Sequence, residues 1–384
     1  MRIKKAKNTL LASNPYIKTL QIQIMVIIII SLIPLNSIAA DKPVLRILNW
    51  SEDYIEIDPS VDKDKPISER SPTLQKFSQK YGCNIQYDEY DTEDEMLKKL
   101  LNLPHYYDVL ITTSDTIDKL RSADKLSLIT SDLVPNKKNI LPKYASIPND
   151  QKGDFFIPYL IGTTGIVYRQ DLVGHQIQSW KDYFEPSESM KEKIACLNTQ
   201  YVIFFAMQFL GINVHTQDRE EIKRASKLFF NLRKKGYLST ITNDIEKIQE
   251  MLSAGDLAMA ICYSGESLAM VKNDSKKRIQ YVVPQEGAEY FMDCMTVLND
   301  APQKQLAFEF LNFFHDPEIQ AANAISLNYA TANFKALEII KTLDPDYFSN
   351  TSINIPPAIS NRLEIFSDAS DEMRNLWQKI TEYK

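Results

Sequence analysis

The sequence predicts an α/β protein of two domains, each built on a largely parallel sheet covered by helices. Three observations carry that expectation. Apolar strand-like runs alternate with amphipathic helical patterns along the chain. The 384 residues fit two domains at roughly 100–200 residues each. The composition is 44% hydrophobic, 10% aromatic and 24% charged, which excludes disordered, collagen-like and polytopic membrane classes.

The elements follow in order. Val44-Leu45-Arg46-Ile47-Leu48 reads as a buried strand ending in the turn Asn49-Trp50-Ser51-Glu52. Ser71 as N-cap and Pro72 at the first helical position open a helix carrying Leu74, Phe77 and Tyr81, which Gly82 stops. Asn84–Tyr87 is a strand, Thr92-Glu93-Asp94-Glu95 is a capping box for the helix bearing Met96, Leu97, Leu100 and Leu101, and Tyr107–Ile111 is the next strand. In the second half, Asp218 caps a helix ended by Gly236. Another runs from about Asn243 to Ser253, and Leu257–Ile261 is a strand. Asp300 with Pro302 is expected to start the helix bearing Leu306, Phe310 and Phe314, which Asp316-Pro317 ends. No Pro/Gly/Ser linker separates the two domains, so strands are expected to cross between them. Phe155–Tyr159 and Ile279–Pro284 are the candidates.

The N-terminus reads as an address. Five bases, from Arg2 to Lys18, precede the apolar run Ile24–Ile33, and small residues follow at Ser37, Ala39 and Ala40. The apolar core is shorter than the roughly 20 residues that span a bilayer, so residues 1–40 are expected to be a cleaved secretory signal peptide. An uncleaved anchor is the alternative. A soluble secreted protein stays with its cell only if a second membrane retains it, which points to a bacterial periplasm.

The whole chain carries a net charge of −6. Without the five leading bases, 39 bases stand against 50 acids, a balance of −11. An acidic body argues against nucleic acid and suits a cationic small molecule, although an acidic surface also serves solubility. Cys83, Cys196, Cys262 and Cys294 are too widely spaced for a CxxC motif. Cys262 with Cys294 is the preferred disulfide because both flank candidate site residues, and four buried thiols are the alternative.

Signals for catalysis are weak. The four histidines, His105, His175, His215 and His315, show no HxH or HExxH spacing, and the chain has no GxSxG, GxGxxG or GKS/T motif. Neither an enzyme, a metal nor a cofactor is expected. Aromatic residues beside acids in turns after strands stand out instead: Trp50 with Glu52, Tyr263 with Glu266, and Phe291 with Asp293 beyond the Glu286-Gly287-Ala288 turn. Ligand groups in α/β sheets gather at strand carboxyl ends. A ring face attracts a cation by about 0.5–2 kcal/mol, and a carboxylate–ammonium hydrogen bond adds about 1.5–3 kcal/mol. Taken singly, each pair is also what an ordinary surface pair looks like.

Several segments occur in a collinear order: Asn49–Glu52, Tyr107–Ile111, Ile157-Pro158-Tyr159 with Gly162–Ile166, Ser179-Trp180, Pro284–Ala288, Phe291-Met292-Asp293, Ala307–Phe313 and Asn328–Asn333. In these the mature chain resembles the periplasmic polyamine-binding proteins, the putrescine and spermidine receptors of ABC importers, over nearly its whole length. The resemblance implies an α/β, two-lobed type II periplasmic binding protein fold, each lobe a mostly parallel sheet flanked by helices, joined by crossing strands. The lobes would be 45–160 plus 291–330 and 161–290 plus 331–384. It implies that Glu52 grips one end of the ligand, with Trp50 as wall and Ser51 as polar contact. Asp293 matches a second acid, Phe291 an aromatic wall, Tyr329 the late tyrosine, Tyr263 a tryptophan wall position, and Glu266 an acid of the putrescine-type members. Asn198 and Tyr201 stand where the family carries carboxylates. Asp115 lies where an aromatic or small residue is usual and is either a ligand or a helix N-cap.

Three acids, Glu52, Glu266 and Asp293, hold two ammonium groups well, and a third would need Asp115 or water. A putrescine-like diamine is therefore favoured, with spermidine possible. The implied partner is an ABC permease in the inner membrane, with no nucleic acid, and a monomer is expected. The other readings are a receptor of the same fold for another cationic or amide solute, a sensor or envelope interaction module, and a secreted hydrolase.

Overall fold

The structure, a computed structural model, describes residues 42–383 apart from 52, 53, 148, 351 and 366–368. The expected signal segment and Glu52 lie outside the described residues. Among those described, no helix is long and apolar enough to cross a membrane.

Nine strands form one sheet: β1 (Val44–Trp50), β2 (Asn84–Tyr90), β3 (Val109–Thr113), β4 (Ile157–Arg169), β5 (Ile194–Cys196), β6 (Leu238–Ile241), β7 (Met259–Tyr263), β8 (Ile279–Val282) and β9 (Glu289–Val297). Their order is β2-β1-β3-β9-β4-β7-β5-β6, with β8 paired to β4. The outer ladders, β1 with β2 and β3, and β5 with β6 and β7, are parallel. The ladders that β4 and β9 make at the centre are antiparallel. Inner parallel strands covered by helices on both faces are mostly buried; β3 and β7 are buried at four of five positions, whereas the edge strand β2 is largely half-buried.

β4 is the spine of the sheet. All 13 of its residues are buried. One edge carries β9 along the first half and β8 along Ile166–Arg169, while the other edge carries β7. The expected Phe155–Tyr159 segment leads into β4. Ile279–Val282 pairs only with the far end of β4, whereas β9 pairs with both β3 and β4.

Local signals set the helices. Ser71 Oγ accepts from Leu74 N, Thr92 Oγ1 accepts from Glu95 N, and Gly82 and Gly255 close their helices in the left-handed conformation. The helix after β9 starts at Lys304 without a side-chain cap, not at Asp300 as expected. Asp300 instead accepts from His105 N at 2.9 Å. The role of the Tyr107-Asp108 motif is structural: buried Asp108 accepts from Arg46 N on β1 at 2.8 Å and from Gln303 N at 2.6 Å, tying that helix to the sheet.

All four cysteines are free and buried, which corrects the preferred Cys262–Cys294 bridge. Cys262 lies opposite Gly165 of β4, and Cys294 lies opposite Pro158. About 20 Å of extended chain separates those two positions, and a disulfide needs Cα atoms within about 7 Å. Burial pushes the Cys262 thiol up to about 12, leaving little thiolate to react. Iodoacetamide is therefore expected to label none of the four thiols in the native protein and all four after denaturation; a mass deficit of one bridge before reduction would contradict this topology.

Candidate functional site

The parallel strands end on one side of the molecule, and there a cavity of about 810 Å³ opens, a size that suits a small molecule. Its lining comes from the C-terminal ends of β1 (Trp50, Ser51), β3 (Thr113, Ser114, Asp115), β5 (Leu197, Thr199, Tyr201) and β7 (Tyr263, Gly265, Glu266). The middle of β4, the start of β9 and Ser326–Tyr329 complete it. Six lining carboxylates, Asp91, Glu93, Asp115, Glu266, Glu289 and Asp293, face a single lysine, Lys119, among the described residues. Lys119 Nζ is 3.7 Å from Glu93 Oε2, so one negative charge is offset and the field of the cavity remains that of an anion.

Rings wall these acids. Tyr263 meets Phe291 edge-on at 5.6 Å between centroids. Phe291 meets Tyr329 at 5.9 Å, and Tyr329 meets Tyr54 at 5.9 Å. Two glycines make room for this wall. A Cβ at Gly162 would run into the Phe291 ring, and one at Gly265 into the Tyr329 ring. The Asn328–Asn333 motif fixes Tyr329. Asn328 turns the chain at φ 57°, Ala330 bridges to Ile161 of β4, and Tyr347 Oη donates to the Tyr329 carbonyl at 2.7 Å. Tyr329 Oη then donates to Glu266 Oε2 at 2.9 Å, and Tyr54 Oη donates to Asp293 Oδ2 at 2.7 Å.

A family profile for bacterial extracellular solute-binding proteins matches residues 73–351. This chain belongs to that family. Among curated relatives, the putrescine-binding periplasmic protein SpuD of Pseudomonas aeruginosa is 29% identical over 79% of this chain and 82% of its own. A putrescine/cadaverine-binding protein of the same species is 26% identical over 90% and 94%. Among solved structures, the spermidine/putrescine ABC transporter substrate-binding protein PotD of Streptococcus pneumoniae superimposes with a TM-score of 0.75 at 22% identity, covering 88% of this chain and 97% of that one. The fold is the two-lobed type II periplasmic binding protein fold.

Within this solute-binding protein, the structure brings Trp50, Ser51, Asp115, Tyr201, Tyr263, Glu266, Phe291, Asp293 and Tyr329 to the one cavity. Asn198 is the exception. Its backbone N–H donates to Asn243 Oδ1 at 2.8 Å and its side chain accepts from Trp377 Nε1 at 3.2 Å. Those bonds turn it toward a smaller surface cavity shared with Arg233 and Lys247. Asp115 is not the N-cap of its helix, since Thr113 Oγ1 accepts from Thr116 N; it sits in the first turn and lines the cavity.

Among the lining residues that the sequence reading did not place here are Tyr54, Asp91, Glu93 and Glu289. Glu93 reads as a capping charge, yet its carboxylate is turned to Thr113 and Thr116 at the end of β3. Glu289 alternates with Phe291 and Asp293 along β9, a period of two that could have revealed it. No three His, Cys, Asp or Glu side chains among the described residues are arranged to hold a metal ion. Ser264 is buried and its Oγ accepts from Thr163 N at 3.1 Å.

Two of the lining carboxyls have shifted pKa values. Burial pushes Asp293 up to about 7, with the Glu266 charge adding to the effect and the Tyr54 hydrogen bond opposing it. Trp50 also opposes the shift from nearby, although its buried Nε1 falls short of hydrogen-bond geometry with any described residue. Burial likewise pushes Glu289 up to about 7, opposed by Thr164 and reinforced by Asp115. A carboxyl whose pKa is higher in the folded than in the unfolded chain binds extra protons when folded. The stability it lends is full below about 4 and is lost as pH rises through about 7. The melting temperature of the ligand-free protein is expected to fall by about 2 °C or more between pH 5 and pH 8. The double variant Asp293→Asn, Glu289→Gln should flatten that fall, as followed by scanning calorimetry.

Proposed function

We propose that this protein captures a polyamine, with a putrescine-like diamine favoured, and delivers it to an ABC permease from the periplasm after its signal segment is removed. The observation that carries the reading is the cavity itself, in which ring faces and carboxylates surround one space with a single lysine to offset them. Ring faces and carboxylates both favour an ammonium group over a neutral or anionic guest. Trp50, Ser51, Tyr263, Phe291 and Tyr329 form the walls, Glu266 and Asp293 anchor one ammonium, and Asp115 and Tyr201 contribute further polar contacts. Glu52, by the resemblance, would grip one end of the ligand. SpuD and the putrescine/cadaverine-binding relative support the reading by the ligands in their names.

Capture would use closure of two lobes, 45–160 with 291–330 against 161–290 with 331–384, about the crossings of β4 and β9. The acids near Asp293 and those near Glu266 would then belong to opposite lobes. The guest would gain its full interaction energy only when both are in reach, and it would shift the population toward the closed form. A micromolar Kd corresponds to about −8 kcal/mol. A few charge-assisted contacts with ring burial supply that after ordering costs. The chain would act as a monomer, and the ligand would leave chemically unchanged.

Purified mature protein is expected to show a clear thermal shift with putrescine, cadaverine or spermidine. The variant Asp293→Asn should weaken diamine binding at least about tenfold, the worth of one charge-assisted contact, by isothermal titration. A flat response to the whole panel, with shifts from amides or neutral solutes instead, would overturn the polyamine reading.

A further inference from the structure

Glu289 has no role in the reading of the sequence, yet its placement is specific. It opens β9, and the turn before it is fastened down. Trp180 Nε1 donates to the Gly287 carbonyl at 2.8 Å, and Glu286 accepts from the Ser179 hydroxyl and from Trp180 N. Arg362 Nη1 donates to the Gln285 carbonyl at 2.6 Å. The side chain that follows therefore starts from a fixed backbone. Thr164, directly opposite on β4, donates its hydroxyl to Glu289 Oε2 at 2.8 Å. The residue lines the cavity. Asp293 is built the same way, with Oδ2 held by Tyr54 and the residue on the cavity wall.

Side chains on a strand alternate, so Glu289, Phe291 and Asp293 share one face of β9 with the ring between the two acids. Four residues of extended chain set their Cα atoms about 13 Å apart. In a linear diamine with four methylenes, five bonds of about 1.5 Å in zigzag separate the nitrogens by about 6 Å. Contacts of about 2.8 Å at each end bring the span to about 12 Å.

We propose that Glu289 is the second ammonium anchor of this cavity, and that its separation from Asp293 across Phe291 makes the site a length gauge for linear diamines of about four or five methylenes. The inference rests on the polyamine reading and adds to it a residue and a rule of selection. Shorter diamines reach one acid only. Longer ones must buckle over the Phe291 ring or carry one end past Glu289.

The test uses the full mature chain and isothermal titration with α,ω-diamines of two to eight methylenes, with n-butylamine as the one-ended probe. Wild type should bind best at four or five methylenes. Glu289→Gln keeps the acceptor for Thr164 and removes the charge. It is expected to weaken binding of the four-methylene diamine at least tenfold, to change n-butylamine binding less than about twofold, and to flatten the length profile. Glu289→Asp should restore affinity with the optimum moved one methylene longer. Asp293→Asn, in contrast, should weaken both probes. A Glu289→Gln variant with the wild-type length profile and diamine affinity overturns the gauge while leaving the polyamine reading intact. A wild-type protein that binds no amine overturns both.

Discussion

Burying carboxylates against one another is the constraint from which the site follows. A carboxylate taken out of water without a partner loses hydration it cannot recover from apolar neighbours, and a second acid close by adds repulsion. Here Asp293 is 5% exposed and feels Glu266, while Glu289 feels Asp115. The protein offsets part of the cost with phenol and hydroxyl donors, Tyr54 to Asp293 and Thr164 to Glu289. Burial holds the phenols of Tyr54, Tyr159 and Tyr329 well above their usual range, so they remain neutral donors. What is left uncompensated is the need for a cation.

The fold serves that constraint. Strand β4 is buried along its length, and β9 returns beside it, so the acids rise from the most rigid part of the molecule. The donors that steady Asp293 are themselves fixed from below: Tyr159 on β4 donates to the Tyr54 carbonyl at 2.7 Å, and Asn49 at the end of β1 donates to the same oxygen at 2.8 Å. In the proposed capture, closure replaces the water around these oxygens with a charged guest and the facing rings, which strengthens each contact as the local dielectric falls.

Much of this was legible in the sequence because it rests on local rules. Ser71-Pro72 with Gly82 and Thr92 with Glu95 are capping chemistry that neighbouring residues decide, and the helices they bound formed as read. Trp50, Tyr263 and Glu266 could be placed because strand ends in α/β sheets converge. The failures involve partners distant in sequence. Asn198 follows a strand as its neighbours do, but Asn243 and Trp377 turn it away. The Cys262–Cys294 pairing ignored that β4 runs between the two strands. Glu289 directly follows the Glu286-Gly287-Ala288 turn, and its two-residue spacing to Phe291 and Asp293 shows only once β9 is known to start there.

The central claim is that a cationic guest takes the place of protons on buried acids, and proton counting tests it most directly. Diamine binding measured calorimetrically at pH 7 in buffers of different ionisation enthalpy should release about one proton per ligand, since two carboxyls with values near 7 each give up about half a proton when a cation lowers them. The release should vanish by pH 9. Binding with no proton exchange at pH 7, or with uptake, would contradict the account.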